Sequence, residues 1–147
     1  MKDSTVIKIP SHPKYLRIIR ALTDEMTGLY GMEEREIKSI RLAVDEACSN
    51  VIKHAYNGDT SRKITIRFNL SPKAFEVIIE DDGIKVKPEH IKGRDFDDVR
   101  PGGLGTHFIK RAFDVVLFDE KKNGNRLKLS KYNTDKKQDT ELKRTKS

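Results

Sequence analysis

The chain has 147 residues, 35% hydrophobic and 36% charged, a balance that suits one domain able to bury a core unaided. Cys48 is its only cysteine and no apolar run approaches the roughly 20 residues of a membrane span, so an intrachain disulfide is excluded and a cytoplasmic setting without a membrane is expected. The net charge of +7 permits nucleic acid as a partner, but the excess is spread along the body with no arginine-rich helix and no aromatic stacking motif, so nucleic-acid binding is disfavoured.

Residues 5–9 alternate weakly and predict a short strand, ended by Pro10. Ser11 and Pro13 form a helix-start signal, since proline is tolerated in a first turn. Tyr15, Ile18, Leu22, Met26 and Leu29 follow at helical spacing, and Gly28 and Gly31 mark the end of that helix. Residues 34–56 are the clearest element: Ile37, Ile40, Val44, Ala47, Val51 and Ala55 step by three or four and form one apolar stripe. Residues 64–68 and 75–80 alternate as two strands, joined by Leu70-Ser71-Pro72-Lys73 in a connection that suits an antiparallel pair. Residues 84–103 hold no steady period and predict a long loop, a class that often serves as a functional lid. Residues 104–113 predict a short helix, and residues 115–118 and 127–131 predict closing strands joined at Asn123-Gly124-Asn125, a hairpin signal. Strands grouped in hairpins predict an α+β layer with helices on one face of a mostly antiparallel sheet. The tail, residues 133–147, has one leucine and many charges and reads as disordered, leaving residues 1–132 as the domain.

Three clusters carry candidate chemistry. Glu46, Asn50 and His54 recur at i, i+4 and i+8 on the long helix, away from its apolar stripe. A carboxylate and an amide oxygen one turn apart can hold Mg²⁺ or its waters, and the carboxylate can take a proton from a hydroxyl. Taken alone, that pattern is more often a solvated helix face, and His54 a packing or hydrogen-bonding residue. Asp81-Asp82-Gly83 follows a strand directly. An aspartate there can accept from an exocyclic amine, and a glycine lets a flat ring come close, although Asp-Gly is also a common turn. Gly102-Gly103-Leu104-Gly105-Thr106 opens a helix, where free N–H groups and the helix dipole attract an anion. It is neither a P-loop nor a dinucleotide fingerprint. In order, the three clusters supply what a nucleoside triphosphate requires.

The same residues carry a family resemblance. Residues 43–56, AVDEACSNVIKHAY, closely resemble the N-box of anti-sigma-factor serine kinases, which belong to the histidine-kinase, Hsp90, gyrase and MutL type of ATPase. Asp81-Asp82-Gly83 resembles the G1 box, Gly102-Gly103-Leu104-Gly105 the G2 box, and residues 124–129 the last strand of that family. The resemblance implies a two-layer α/β sandwich of the histidine-kinase-like (Bergerat) type that binds ATP and Mg²⁺. It implies Asn50 as the Mg²⁺ ligand and Glu46 as the catalytic base that activates a protein serine hydroxyl. Asp81 would take the adenine amine with Gly83 beneath the ring. Gly103 and Gly105 would sit at the phosphates, Leu104 and Thr106 would support that turn, and Arg100 would reach the terminal phosphate. The implied activity is that of a protein serine/threonine kinase. Its implied substrate is an anti-sigma-factor antagonist of sulfate-transporter-like (STAS) fold, and its implied second partner is a sigma factor held by a kinase homodimer.

One departure is Lys85, which stands where the G1 box often has a second Gly or a Pro; it bears on the lid hinge and not on the adenine contact. The extra domains of autophosphorylating kinases, gyrases and chaperones have no counterpart here, so a stand-alone ATPase-fold domain is expected. Two other readings stay open at this level: a module that binds ATP and switches partners without transferring phosphate, and a basic nucleic-acid-binding domain.

Overall fold

The computed structural model describes residues 2–86, 103–119 and 121–133. The elements run β1 (Asp3–Pro10), a 3₁₀ turn (Pro13–Tyr15), α1 (Leu16–Tyr30), α2 (Glu34–Asn50), a π-helical turn (Val51–Ala55), β2 (Lys63–Leu70), β3 (Ala74–Asp81), α3 (Gly103–Ala112), β4 (Val115–Asp119) and β5 (Asn125–Tyr132). The five strands form one sheet in the order β1-β2-β3-β5-β4, and every pairing is antiparallel. The α+β class and the element order expected from the sequence are those observed. The long loop expected over residues 84–103 and the charged tail lie largely outside the described residues.

Strand alternation sets the layers, because successive side chains point to opposite faces. Ile7 pairs with Ile66, Ile66 with Ile79, and Ile79 with Leu127, so one apolar row crosses four strands. Its neighbours on that face include Phe68 and Phe75, both fully buried, with ring centroids 6.1 Å apart in a tilted pair. Burying a side chain of this size stabilises the fold by about 1.5–3 kcal/mol. All three helices close over this face: Leu16 and Ile19 of α1, Ile40, Val44 and Ala47 of α2, and Ile109 and Ala112 of α3 join the same core. α2 lies between the other two and packs against both. Its small residues Ala43, Ala47 and Cys48, each nearly or fully buried, are what allow two neighbours and a sheet to approach one helix.

Two local expectations need correction. In α1 the buried residues are Leu16, Ile19, Thr23 and Thr27, and Tyr15, Leu22 and Met26 of the expected stripe pack partly buried against the same core, whereas Ile18 is 45% exposed and Leu29 is 76% exposed. Thr23 and Thr27 can be buried because their hydroxyls donate to Ile19 O and Thr23 O, 2.7 Å each, one turn back. The buried face is therefore wider than apolar spacing suggests and includes these two threonines. The second correction is at its start. Pro13 opens a 3₁₀ turn, capped by His12 Nδ1 accepting from Lys14 N, that leads into α1, whereas Ser11 is fully buried. Ser11 Oγ donates to Asp59 O at 2.7 Å and accepts from Arg62 N at 3.0 Å, tying the end of β1 to the chain entering β2. The end of α1 is as expected: Gly31, at φ +89°, donates to Gly28 O.

Two ion pairs fasten α1 to α2: Arg20 to Asp45 and Arg41 to Asp24, each 2.8 Å. Being partly exposed, they contribute about 0–1 kcal/mol each and act mainly to orient the helices. Cys48 is completely buried, and burial together with the Asp45 charge pushes its thiol far above the usual range. Its reaction with a thiol reagent such as dithionitrobenzoate should therefore be undetectable in the native protein and appear with the urea unfolding transition; rapid native labelling would contradict this packing.

Candidate functional site

The long helix does not stay α-helical to its end. After Asn50, residues Val51–Ala55 form a π turn, with Tyr56 N donating to Val51 O at 2.9 Å. Such i to i+5 turns are rare and concentrate at functional sites. His54 lies within this π turn, and its side chain is exposed. Of the three residues expected on one face, Glu46 and Asn50 lie within α2 itself. Both are half-buried, and neither side chain has a hydrogen bond or ion pair among the described residues. Asp45, next to Glu46, is already held by Arg20. The adjacent carboxylates are thus separated into one that joins helices and one left unpaired.

The π turn docks on the Asp81-Asp82-Gly83 turn. Ala55, at the end of the helix, has no further turn to receive its carbonyl, and Ile84 N donates to that oxygen at 2.9 Å. Gly83 lies so close that a Cβ there would stand 2.2 Å from Ala55 O. Tyr56 completes the junction: its hydroxyl donates to Lys63 O and accepts from Asp82 N at 3.0 Å. Arg62 covers the Tyr56 ring at 5.0 Å and donates to Asp82 O at 3.0 Å. The motif on α2 and the motif after β3 are therefore one site, with Asn50 about one turn before the contact and Glu46 a turn further back.

Asp81 is the last residue of β3 and is only 3% exposed. Its Oδ1 accepts from Gly83 N and from Asn125 Nδ2, both at 2.9 Å. Burial pushes the carboxyl above its ordinary value, against the lowering effect of the Asn125 amide, the Gly83 N–H and the Lys121 charge. Lys121 Nζ reaches Asp81 O and Asp82 Oδ1, both at 3.0 Å.

Asn125, Gly124, Lys121 and Tyr56 were given no site role by the sequence. Asn123-Gly124-Asn125 reads as a hairpin signal, yet Gly124, at φ +83°, serves a tertiary contact: a Cβ there would stand 1.9 Å from Asp81 O. The only available signal was a glycine followed by a short amide residue at a strand start. Gly103, Leu104, Gly105 and Thr106 form the first turn of α3, as expected for an anion-facing helix start. Gly102 and Arg100 lie outside the described residues. Among the described residues, no group of three or more His, Cys, Asp or Glu side chains could hold a metal, and no helix is long and apolar enough to cross a membrane.

An antiparallel sheet with helices on one face, and a buried aspartate and glycine docked on the end of the central helix, define a histidine-kinase-like ATPase fold. The chain belongs to the histidine kinase-like ATPase domain family, whose model matches residues 9–131. It is 30% identical over 122 residues to the serine-protein kinase RsbW of Bacillus subtilis (strain 168), covering 78% of this chain and 76% of that one. The RsbW of Bacillus pumilus (strain SAFR-032) is 31% identical over 124 residues, with the same coverage. Among solved structures, the RsbU and RsbW domains of a Mycobacterium tuberculosis protein superpose with a TM-score of 0.63 at 17% identity, covering 88% of this chain and 32% of that one. This chain thus spans about a third of that longer protein. The histidine kinase domain of the Erythrobacter litoralis blue-light activated kinase gives a TM-score of 0.51 at 18% identity, covering 83% of this chain and 60% of that one. These two structural likenesses are likenesses of fold.

Two outcomes follow from the geometry. Gly83→Ala cannot keep the Ala55 contact, so it should lower stability by about 1–3 kcal/mol in urea unfolding, whereas an unchanged midpoint would mean the turn relaxes freely. For Asp81, the sign is set by a folded pKa above the unfolded one. Its favourable contribution is present at acid pH and is lost as pH rises through the folded value. Asp81→Asn keeps an oxygen for both N–H donors, so its stability relative to the wild type should rise as pH increases above about 4, the ordinary carboxylate value; a difference that falls with rising pH would reverse the assignment.

Proposed function

We propose that this chain is an ATP- and Mg²⁺-dependent protein serine/threonine kinase that acts as an anti-sigma regulatory factor. The observation that carries the reading is the buried Asp81 carboxylate, whose two bonds both fall on Oδ1, above a glycine with no room for a Cβ. An acceptor-only carboxylate with one oxygen left for a ligand, held beside a turn packed on the helix end, fits a base that presents an exocyclic amine. In this reading Asp81 Oδ2 accepts the adenine amine and Gly83 underlies the ring. The N–H groups of Gly103, Leu104, Gly105 and Thr106 face the phosphates, since a helix start favours anions. Arg100 approaches the terminal phosphate.

Asn50 is the residue that would hold Mg²⁺ through its carboxamide oxygen, and the ion would supply charge neutralisation between phosphate groups. A site with few protein ligands suits this ion, which keeps waters and binds largely through phosphates. Glu46, unpaired and half-buried one turn from Asn50, is placed to accept the proton of an incoming serine or threonine hydroxyl. Positioning and charge stabilisation are the main demands of phosphoryl transfer.

The relatives named serine-protein kinase support a protein hydroxyl as the acceptor. The proposed substrate is a STAS-type anti-sigma-factor antagonist, the proposed second partner is a sigma factor, and the proposed working form is a homodimer. The test is Glu46→Gln. It should bind Mg·ATP as the wild type does in calorimetric titration, while phosphate transfer from labelled ATP to the antagonist falls by about 10²–10⁴-fold. Full transfer by the variant would remove Glu46 from the mechanism, and partner release without transfer by the wild type would leave a non-catalytic switch.

A further inference from the structure

Asn125 is 94% buried at the first position of β5, and its carboxamide is shared among three groups. Nδ2 donates to Asp81 Oδ1 and to Ile84 O, both at 2.9 Å, and Oδ1 accepts from Val86 N at 2.8 Å. The orientation of the amide is not arbitrary. Two acceptors face one end and one N–H donor faces the other, so only one of its two flips satisfies all three. Few side chains can replace it. A carboxylate of the same shape has no donor for Asp81 or Ile84, and a hydroxyl has one proton and cannot serve two acceptors while reaching a third group. Glutamine carries the right groups one methylene too far.

The strand register brings these partners together. Asn125 is the cross-strand partner of Asp81 in the β3–β5 ladder, which puts both side chains on the same face of the sheet. Gly124 lets the backbones close further, since no Cβ fits between it and Asp81 O.

We infer that Asn125 is the positioning residue for the nucleotide base: it occupies Asp81 Oδ1, so that Oδ2 alone is presented to the base, and it fixes the chain leaving the turn at Ile84 and Val86. The inference rests on the nucleotide reading of the site and deepens it by assigning base selection to a residue that does not touch the base. Asn125 acts on the base and not on the phosphates, which belong to the start of α3.

The test compares wild type with Asn125→Asp and Asn125→Ser, each checked for native circular dichroism and titrated with Mg·ATP, Mg·GTP and inorganic tripolyphosphate. The charged or titratable groups facing the turn are Lys121, Glu80, Asp82, Tyr56 and Arg62, and all are retained in both variants. Asn125→Asp sets a second carboxylate against Asp81 Oδ1, which favours a shared proton. Its ATP affinity should therefore fall at least about fivefold at neutral pH, and the acid limb of its affinity profile should move up by about one pH unit or more. Asn125→Ser should reduce the preference for ATP over GTP. Tripolyphosphate affinity should stay within about twofold of wild type in both, because a merely structural loss would weaken every ligand alike.

An ATP profile in Asn125→Asp that matches wild type overturns the inference, as does a parallel loss for all three ligands. Failure of both variants to fold also overturns it, since Asn125 would then be a stability element. A folded wild type that does not bind Mg·ATP overturns the nucleotide reading itself, an outcome distinct from the others.

Discussion

The site depends on one backbone contact, the bond from Ile84 N to Ala55 O with Gly83 flush against it. A helix end leaves carbonyls without partners, and burying one unpaired costs about 1–3 kcal/mol. Here the turn after β3 supplies the missing donor. The bond satisfies the helix end and joins the two stretches that carry the candidate chemistry. A side chain of any size at position 83 would separate them. The π turn belongs to the same arrangement, because it sets the position from which Ala55 meets the turn.

Around that contact, polar groups are satisfied in a way that leaves particular atoms free. Arg20 takes Asp45, while Glu46, one residue on, has no partner among the described residues. Asn125 and Gly83 both bond Oδ1 of Asp81. Tyr56 binds the backbone of Asp82 and Lys63, which closes the junction from beneath without using a charged group. Buried polar atoms are normally paired, so acceptors left without a partner among the described residues are candidates to meet a ligand. Asp81 shows the cost of that availability. Burial raises its pKa, meaning that the charged form is held at some expense of stability.

The sheet and its helices hold these groups by ordinary packing. One face of five antiparallel strands is covered by α1, α2 and α3, and α2 occupies the middle because its alanines and Cys48 are small. This central helix, packed against both neighbours and the sheet, carries the candidate residues Glu46 and Asn50. The ends of β3 and β5, paired through Asp81 and Asn125, form the opposite wall.

The sequence by itself determined the element order, the α+β class, the alternation that buries one face of the sheet, and the pairing of Glu46 with Asn50 on α2. These follow from local periodicity, and periods of 2 and 3.6 are visible in any window of a few residues. Family motifs brought Asp81, Gly83 and the turn at Gly103 to notice, again because each motif is contiguous. Only the tertiary structure decided the rest. Thr23 and Thr27 are core residues because their hydroxyls are satisfied by carbonyls one turn back, a circumstance that polarity along the chain conceals. The helix after Asn50 changes to a π turn whose last residue, Ala55, meets a turn nearly thirty residues later. Asn125 and Gly124 gain their roles from partners about 40 residues away, with Asn125 bonding groups 39, 41 and 44 positions distant. A residue whose function is a hydrogen bond across the fold carries no local period, so its role exists only once the strands have paired.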